Sequence, residues 1–488
     1  MKSFLAALFL SRILYAQELP APPQDPQVQE LESRLQALLN MAPAPASIGI
    51  HVVEIASGRT VFASDPGRLL LPASNLKIVT SAAALARLSG EFRFTTRVVQ
   101  TASGDVVLLG SGDPTFSGRT FPYQKNARNQ PPLIVIDDLA DQIAARGVTR
   151  IAGDIVGDDR LYLWDPYPPS WTIDDTTTDY GAPVSALSLN DNSIAITVVP
   201  GANPGDPVLL IATPSLELLT IVNRAVTGPR GSAPSLRFER IPNSDEWQVS
   251  GSLPAGRGTT AHVIPVHDPA LFAATALYEA LIRRGISIQG RPRAAHRLSG
   301  EEFTPPPGRE LAARTSPSLQ QILQVMNKLS DNLYAELVLR AVARQMRGEG
   351  SLAAGIAEVS NYLVSIGADK SDFRIEDGSG LSRNALVTPR LLTRVLTHMA
   401  ASRDSDTWIS LLPVGGEDGT LEKRLCCVSG NQGVRAKTGT LARAQSLSGY
   451  ADSATFGRLA FSILVNDFAA QSGDVREWID KLAKELLR

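Results

Sequence analysis

The chain has 488 residues, of which 43% are hydrophobic and 20% charged, and its formal charge is −2. A chain of that size and composition buries a sizeable core and has room for two or more domains, which excludes a disordered or fibrous protein. The near-neutral balance, with no dense run of lysine and arginine, argues against nucleic acid as a partner.

At the start, Met1-Lys2-Ser3 precedes the apolar Phe4 to Leu10, and Leu14-Tyr15-Ala16 offers a cleavage site; residues 1–16 read as a signal peptide although Arg12 interrupts them. No cysteine lies near the cut, so a lipoprotein anchor is excluded. No later stretch reaches the roughly 18 to 20 uninterrupted apolar residues of a membrane-spanning helix. The expectation is an exported, periplasmic or extracytoplasmic protein, soluble or at most peripheral to the membrane. Next, LPASNLKIVTSAAAL predicts a helix opened by Ser74, with Lys77 one turn along on the same face. From Arg93 to about Ser235 the chain becomes short β-rich runs, such as RFTTRVVQ and SIAITVVP, punctuated by Gly, Pro and Asp. Helices are predicted within and after that stretch at roughly Ile136 to Arg146 and Leu271 to Arg284, the second stopped by Gly285 before the strand-like ISIQG. Pro305-Pro306-Pro307 then reads as a linker.

Beyond the linker, LQQILQVMNKL, LYAELVLRAVARQM and PRLLTRVLTHMAA have helical texture, and Ser330-Asp331-Asn332 falls in the turn between the first two. Cys426 and Cys427, the only cysteines, are adjacent and cannot close the loop of an ordinary structural disulfide; two reduced, packed thiols are expected. VRAKTGTL, SLSGYADS and RLAFSILVND predict an antiparallel meander with Lys437-Thr438-Gly439 on its first strand. The final WIDKLAKELLR predicts a helix packing its apolar face on that sheet.

Ser74 and Lys77 form the only SxxK in the chain. A serine hydroxyl is a poor nucleophile at neutral pH and needs a base within hydrogen-bond reach, which a neutral lysine supplies. Burial beside a second cation, Lys437, would lower the pKa of Lys77. At a helix start the N–H of Ser74 is free to serve as half of an oxyanion hole, the N–H of Thr440 being the other half if Gly439 lets a substrate backbone approach the strand edge. Lys437, Thr438 and Thr440 make a cationic, hydrogen-bonding patch for a carboxylate next to the scissile bond. Ser330 would relay a proton to the leaving amine and Asn332 would hold both the substrate amide and Lys77, while Asp331 points away and stabilises the turn. Each motif alone also reads as a plain N-cap, turn or strand edge; their order and placement argue for a site. Other chemistries are poorly represented: GxSxG and HExxH are absent, and His51, His262, His267, His296 and His398 show no metal-ligand spacing. GSGDP at Gly110 and DGSG at Gly378 read as turns.

SxxK, SDN and KTG, in that order, are the set of class A β-lactamases and penicillin-binding proteins. PASNLKIVTSAAAL, GSGDPTF, GDI at Gly153, YGAPVSALSLNDN, MNKLSDNLYAE, DGSGLSR and DGTLEKR leading to RAKTGTL extend the likeness over nearly the whole chain. It resembles the class C low-molecular-mass penicillin-binding proteins, D-alanyl-D-alanine carboxypeptidases and endopeptidases of the DacB type. That resemblance implies an α/β (α+β) fold: a penicillin-binding-protein/β-lactamase-like transpeptidase domain with an antiparallel sheet and helices, built from residues 28–96 and 310–488. A β-rich insertion over 97–309, of two small domains with the inner one at roughly 160–265, would split it, as the long separation of Ser74 from Ser330 independently requires. It further implies Ser74 as acylated nucleophile, Lys77 as base, Ser330 and Asn332 as second motif, and Lys437, Thr438 and Gly439 as third. The substrates would be peptidoglycan stem peptides and cross-links, cleaved through a seryl ester that β-lactam antibiotics also form. No cofactor or metal is implied, and a homodimer is left open.

Two alternatives remain. A serine β-lactamase shares the motifs but needs a base to activate water; Glu349, Glu358 and Glu376 follow Ser330, none in an ExxLN setting, and the insertion is foreign to those compact enzymes. A penicillin-binding sensor or wall-binding protein without turnover would keep the fold, and the intact motifs argue against it.

Overall fold

The computed structural model describes residues 25–125, 130–241, 244, 246–426 and 433–488. The expected signal peptide, residues 1–16, and Cys427 lie outside them. Helix α1 (Pro26–Leu39) leads into the hairpin β1 (Ser47–Glu54) and β2 (Thr60–Ser64), and α2 (Leu76–Leu88) follows a short 3₁₀ turn, Ala73–Asn75. The middle of the chain contributes α3 (Ile134–Ala145) and α4 (Pro269–Arg283) among short strands. Then come α5 (Leu319–Leu329), α6 (Asn332–Arg347), α7 (Leu352–Ser365), α8 (Pro389–Ala400) and α9 (Ser405–Leu411). The meander β3 (Val434–Leu441), β4 (Ala444–Ser453), β5 (Gly457–Asn466) and helix α10 (Ser472–Glu485) complete the chain.

The five labelled strands form one antiparallel sheet in the order β2-β1-β5-β4-β3, with β1 from the N-terminal part pairing along its length with β5 from the C-terminal part. Its central strands are buried on both faces. Leu31 and Leu35 of α1 and Trp478, Ile479 and Leu482 of α10 share one apolar cluster with Phe461 and Ile463. The other face, with Tyr450, Ala460 and Leu464, packs on α2, α5, α6 and α8. Local signals set these helices. Thr388 caps α8 by accepting from Leu391 N, and Pro389 occupies the first turn, where its missing N–H costs nothing. Strand β3 is left at the sheet edge, and the site is built against it.

A second, mixed sheet in the middle segment has the order Pro292–Ala295, Ile155–Asp158, Val106–Leu109, Thr95–Gln100, Arg309–Thr315, accompanied by α3 and α4. By sheet membership the segment runs from Thr95 to Thr315, beside the 97–309 that the resemblance implies. The reason is tertiary: RELAART carries little strand signal of its own, yet pairs antiparallel with TTRVVQ so that Thr95 faces Thr315. Entry and exit of the segment are thus adjacent. Two three-stranded sheets lie further in, one of Thr260–Pro265, Ser193–Val199 and Leu209–Thr213 and the other of Arg237–Arg240, Glu246–Ser250 and Thr220–Asn223, and both share an apolar cluster with the mixed sheet. Tyr162, Trp171, Val184 and Ala186, within the span read as an inner domain, pack instead on Leu333, Leu337 and Leu381 beside the site. Among the described residues no helix is long and apolar enough to cross a membrane. Cys426 is exposed where the chain turns outward after buried Leu425 (φ 56°), which corrects the expectation of a packed thiol.

Tyr450 links three of these elements. Its hydroxyl donates to Leu396 O in α8 and accepts from Trp408 Nε1 in α9, at 2.6 and 2.8 Å, with both rings buried. Tyr450→Phe leaves a buried indole N–H without its acceptor, so unfolding in urea should show a loss of about 1–3 kcal/mol with the transition still cooperative.

Candidate active site

Ser74 sits in the 3₁₀ turn that feeds α2, half-buried, and is preceded by Ala73 at φ 47°, a left-handed conformation that costs a residue with a Cβ on the order of 1 kcal/mol. The turn is tied to the sheet on both sides. Asn75 Nδ2 donates to Lys437 O (2.9 Å) and Ser446 Oγ to Pro72 O (2.7 Å). Leu71 and Asn466 exchange hydrogen bonds just before it. One helical turn later Lys77, fully buried, directs its Nζ to Ser74 Oγ (3.0 Å), Asn332 Oδ1 (2.6 Å) and Ser379 O (2.8 Å).

Ser330 adopts φ 63° as the C-cap of α5, and Asp331 caps α6 by accepting from Tyr334 N, so the chain turns sharply between the two helices. That turn aims Asn332 at Lys77 and Ser330 at Lys437, whose Nζ donates to Ser330 Oγ at 2.8 Å. On β3, Ala436 N bonds Pro413 O across the free edge, and strand alternation turns the N–H groups of Thr438 and Thr440 the same way. Ser74, Ser330, Asn332, Gly380, Arg383 and Thr440 line a cavity of about 460 Å³.

Burial is the main cause that lowers the pKa of Lys77, to about 8, while Asp377, Asp331 and Glu336 oppose it. The expected cause, the second cation, acts chiefly the other way round. Lys437 is held well below the usual lysine value by burial first and then by the charge of Lys77. Two buried ammonium groups this close disfavour each other, so the pair holds one proton more readily than two. Buried Glu336, itself pushed up by desolvation, pairs with Arg340 and accepts from Gly378 N and Ser379 N. Asp377 accepts from Gly380 N, Ser382 N, Ser379 Oγ and Trp171 Nε1. The DGSG stretch, read from sequence as a turn, is thus a clamped loop that presents the Ser379 carbonyl to Lys77.

Ser74, Lys77, Ser330, Asn332 and Lys437 converge, and Thr440 lines the same cavity. Thr438 differs: its hydroxyl donates to Thr420 Oγ1 (2.8 Å) and does not line the cavity. Gly439 also has another reason than substrate access. A Cβ there would lie 2.2 Å from Ser446 Oγ, 2.8 Å from Pro72 O and 3.0 Å from Ala73 Cβ, so the missing side chain admits the turn that carries Ser74. Gly380 is similar, at φ 78° with its would-be Cβ 1.9 Å from Ala73 O. Asn332 Nδ2 donates to Tyr180 O of the middle segment (2.9 Å), and Asp175 and Tyr180 line the cavity. Sequence reading missed these two, with Ser379, Glu336 and Arg383; only Glu336 left a signal, lying one helical turn after Asn332 on the same face.

Residues 31–486 match the D-Ala-D-Ala carboxypeptidase 3 (S13) family. A D-alanyl-D-alanine carboxypeptidase from Actinomadura sp. (strain R39) is 32% identical over 458 residues, 90% of this chain and 81% of that protein. The chain belongs to the S13 family. It is accordingly a serine peptidase of the D-Ala-D-Ala carboxypeptidase class. Another relative, the D-alanyl-D-alanine carboxypeptidase DacB of Haemophilus influenzae, is 24% identical over 90% of this chain and 88% of its own. The crystal structure of penicillin binding protein 4 (dacB) from Haemophilus influenzae superposes with a TM-score of 0.79 at 23% identity, covering 93% of this chain and 99% of that one, and shows the same fold.

Gly439→Ala should push β3 away from the Pro72–Ala73 turn and lower the second-order rate of penicillin acylation by a factor on the order of 10², with the melting transition still cooperative. A melting curve and a stopped-flow acylation trace check this.

Proposed function

We propose that this S13 peptidase removes the terminal D-alanine from peptidoglycan stem peptides, and cleaves D-alanyl cross-links between them, through an ester on Ser74. The observation that carries the reading is the placement of Lys77 Nζ among Ser74 Oγ, Asn332 Oδ1 and Ser379 O. A neutral amine has two N–H groups and one lone pair. With the N–H groups given to the two fixed carbonyl oxygens, the lone pair faces the Ser74 hydroxyl and takes its proton as Oγ attacks the scissile carbonyl carbon. Negative charge forming on the carbonyl oxygen is received by the N–H groups of Ser74 and Thr440. Collapse breaks the C–N bond, and the departing amine takes a proton through Ser330 from Lys437. Water then cleaves the ester. A substrate carboxylate near Lys437 and Thr440 favours the single shared proton on Lys437, which leaves Lys77 as the free base. β-Lactams enter by the same attack. The chain acts outside the cytoplasm, led there by residues 1–16, with no cofactor.

Intact-mass spectrometry after benzylpenicillin, with a parallel assay of D-alanine released from a pentapeptide, tests the reading. A persistent adduct on Ser74, lost in Ser74→Ala, together with D-alanine release is expected. Rapid adduct loss with penicillin hydrolysis would make the protein a β-lactamase, and an adduct without peptide cleavage would make it a sensor. Because only neutral Lys77 is a base, the acylation rate should rise about tenfold per pH unit on the acid side and level off above pH about 8. A rate that is flat from pH 6 to 9 would reject Lys77 as the base.

A further inference from the structure

Arg119 lies just after GSGDPTF, in the middle segment and outside the three motifs. Its side chain is largely buried, and one guanidinium nitrogen reaches both Asp191 Oδ2 (2.6 Å) and Asp331 Oδ2 (3.3 Å). The guanidinium also stands over the Tyr334 ring, 5.9 Å from its centroid. Asp191 belongs to a tight turn of the middle segment, Asn190–Asn192, in which all three residues have φ between 50° and 54°. Asp331 is the central residue of the turn that carries Ser330 and Asn332, and its other oxygen caps α6. One cation therefore joins two turns that both contain left-handed residues, one from the middle segment and one from the site.

The electrostatic setting gives this contact a second consequence. The charged groups around Lys77 are Lys437 on β3, Asp331 and Glu336 at the start of α6, Asp377 in the clamped loop, and Asp175 and Arg383 at the cavity wall. Glu336 has Arg340 as its cation, and Asp377 is satisfied by four hydrogen bonds. For Asp331 the opposing charge is Arg119, shared with Asp191.

We propose that Arg119 is a positioning residue that clamps the Ser330–Asp331–Asn332 turn to the middle segment and neutralises the Asp331 carboxylate beside Lys77. The inference rests on Lys77 being the base. An uncompensated carboxylate at position 331 would favour the ammonium form of Lys77, which has no lone pair for Ser74. The middle segment thereby sets the pH range in which the serine is nucleophilic, without touching the substrate through this residue. Asp331 supplies both the cap that shapes the turn and the charge that must be cancelled.

The test is the second-order rate of Ser74 acylation by a fluorescent penicillin from pH 6 to 10, with thermal melting, for Arg119→Gln, Asp331→Asn, the double variant and Arg119→Lys. Arg119→Gln should move the rising limb to higher pH by about half to one unit, the effect of one charge several ångströms away in an effective dielectric near 20. Asp331→Asn keeps a good helix cap and should move the limb to lower pH. The double variant should fall between the two, and Arg119→Lys should recover most of the wild-type profile. Slower acylation with unmoved limbs in both single variants would overturn the proposal, reducing the contact to packing. If Arg119→Gln does not fold, the Asp331→Asn limb decides alone: an acid shift supports the proposal and an unmoved or alkaline limb overturns it. Absence of acylation in the wild-type protein is a separate result that rejects the proposed function.

Discussion

The buried amine of Lys77 lies 3.0 Å from the Ser74 hydroxyl, and the surrounding structure is arranged around that contact. Burial disfavours the ammonium form, yet an unpaired polar group in a dry interior is costly. Two fixed oxygens, Asn332 Oδ1 and Ser379 O, meet both demands, because they accept N–H groups of the buried amine and leave its remaining position facing Ser74. Holding those oxygens still takes further structure. Glu336 and Asp377 hold the Ser379 loop through its backbone N–H groups, and the sharp turn between α5 and α6 holds Asn332. The three carboxylates this requires all push Lys77 back toward the charged form. Burial outweighs them.

The second constraint is the free edge of β3. An unpaired strand edge invites non-specific pairing, and here the edge is covered in part by Pro413 and Val414, Pro413 O accepting from Ala436 N, and left open where Thr440 meets the cavity. Closeness is achieved by removing side chains: Gly439 and Gly380 approach Pro72 and Ala73 from two sides, where any Cβ would collide with backbone. The left-handed residues Ala73 and Ser330 sit at the two turns that deliver the serine hydroxyls. Such strain persists because the surrounding hydrogen bonds fix both ends of each turn.

The middle segment is more than a spacer. Its ends are paired, Thr95 against Thr315, so it leaves the five-stranded sheet undisturbed. From there it returns to the site through Trp171 on Asp377, Tyr180 O on Asn332 and Arg119 on Asp331. These contacts make the second motif a joint product of α6 and a segment more than a hundred residues earlier in the chain.

Much of this was legible beforehand. The helix opened by Ser74, the SDN turn, the KTG strand and the terminal amphipathic helix follow from local spacing and capping, because hydrogen bonds within one turn or one strand depend on neighbours in sequence. Sequence by itself therefore determined that Ser74, Lys77, Ser330, Asn332 and Lys437 stand out together, and which elements hold them. Tertiary structure alone decided the rest: that a backbone carbonyl at Ser379 completes the lysine's partners, that Thr438 turns to Thr420, and that Gly439 makes room for the turn that carries Ser74. It also decided that burial, more than Lys437, lowers the pKa of Lys77. These are contacts and desolvation between segments far apart in the chain, and such terms leave no periodicity or spacing to read.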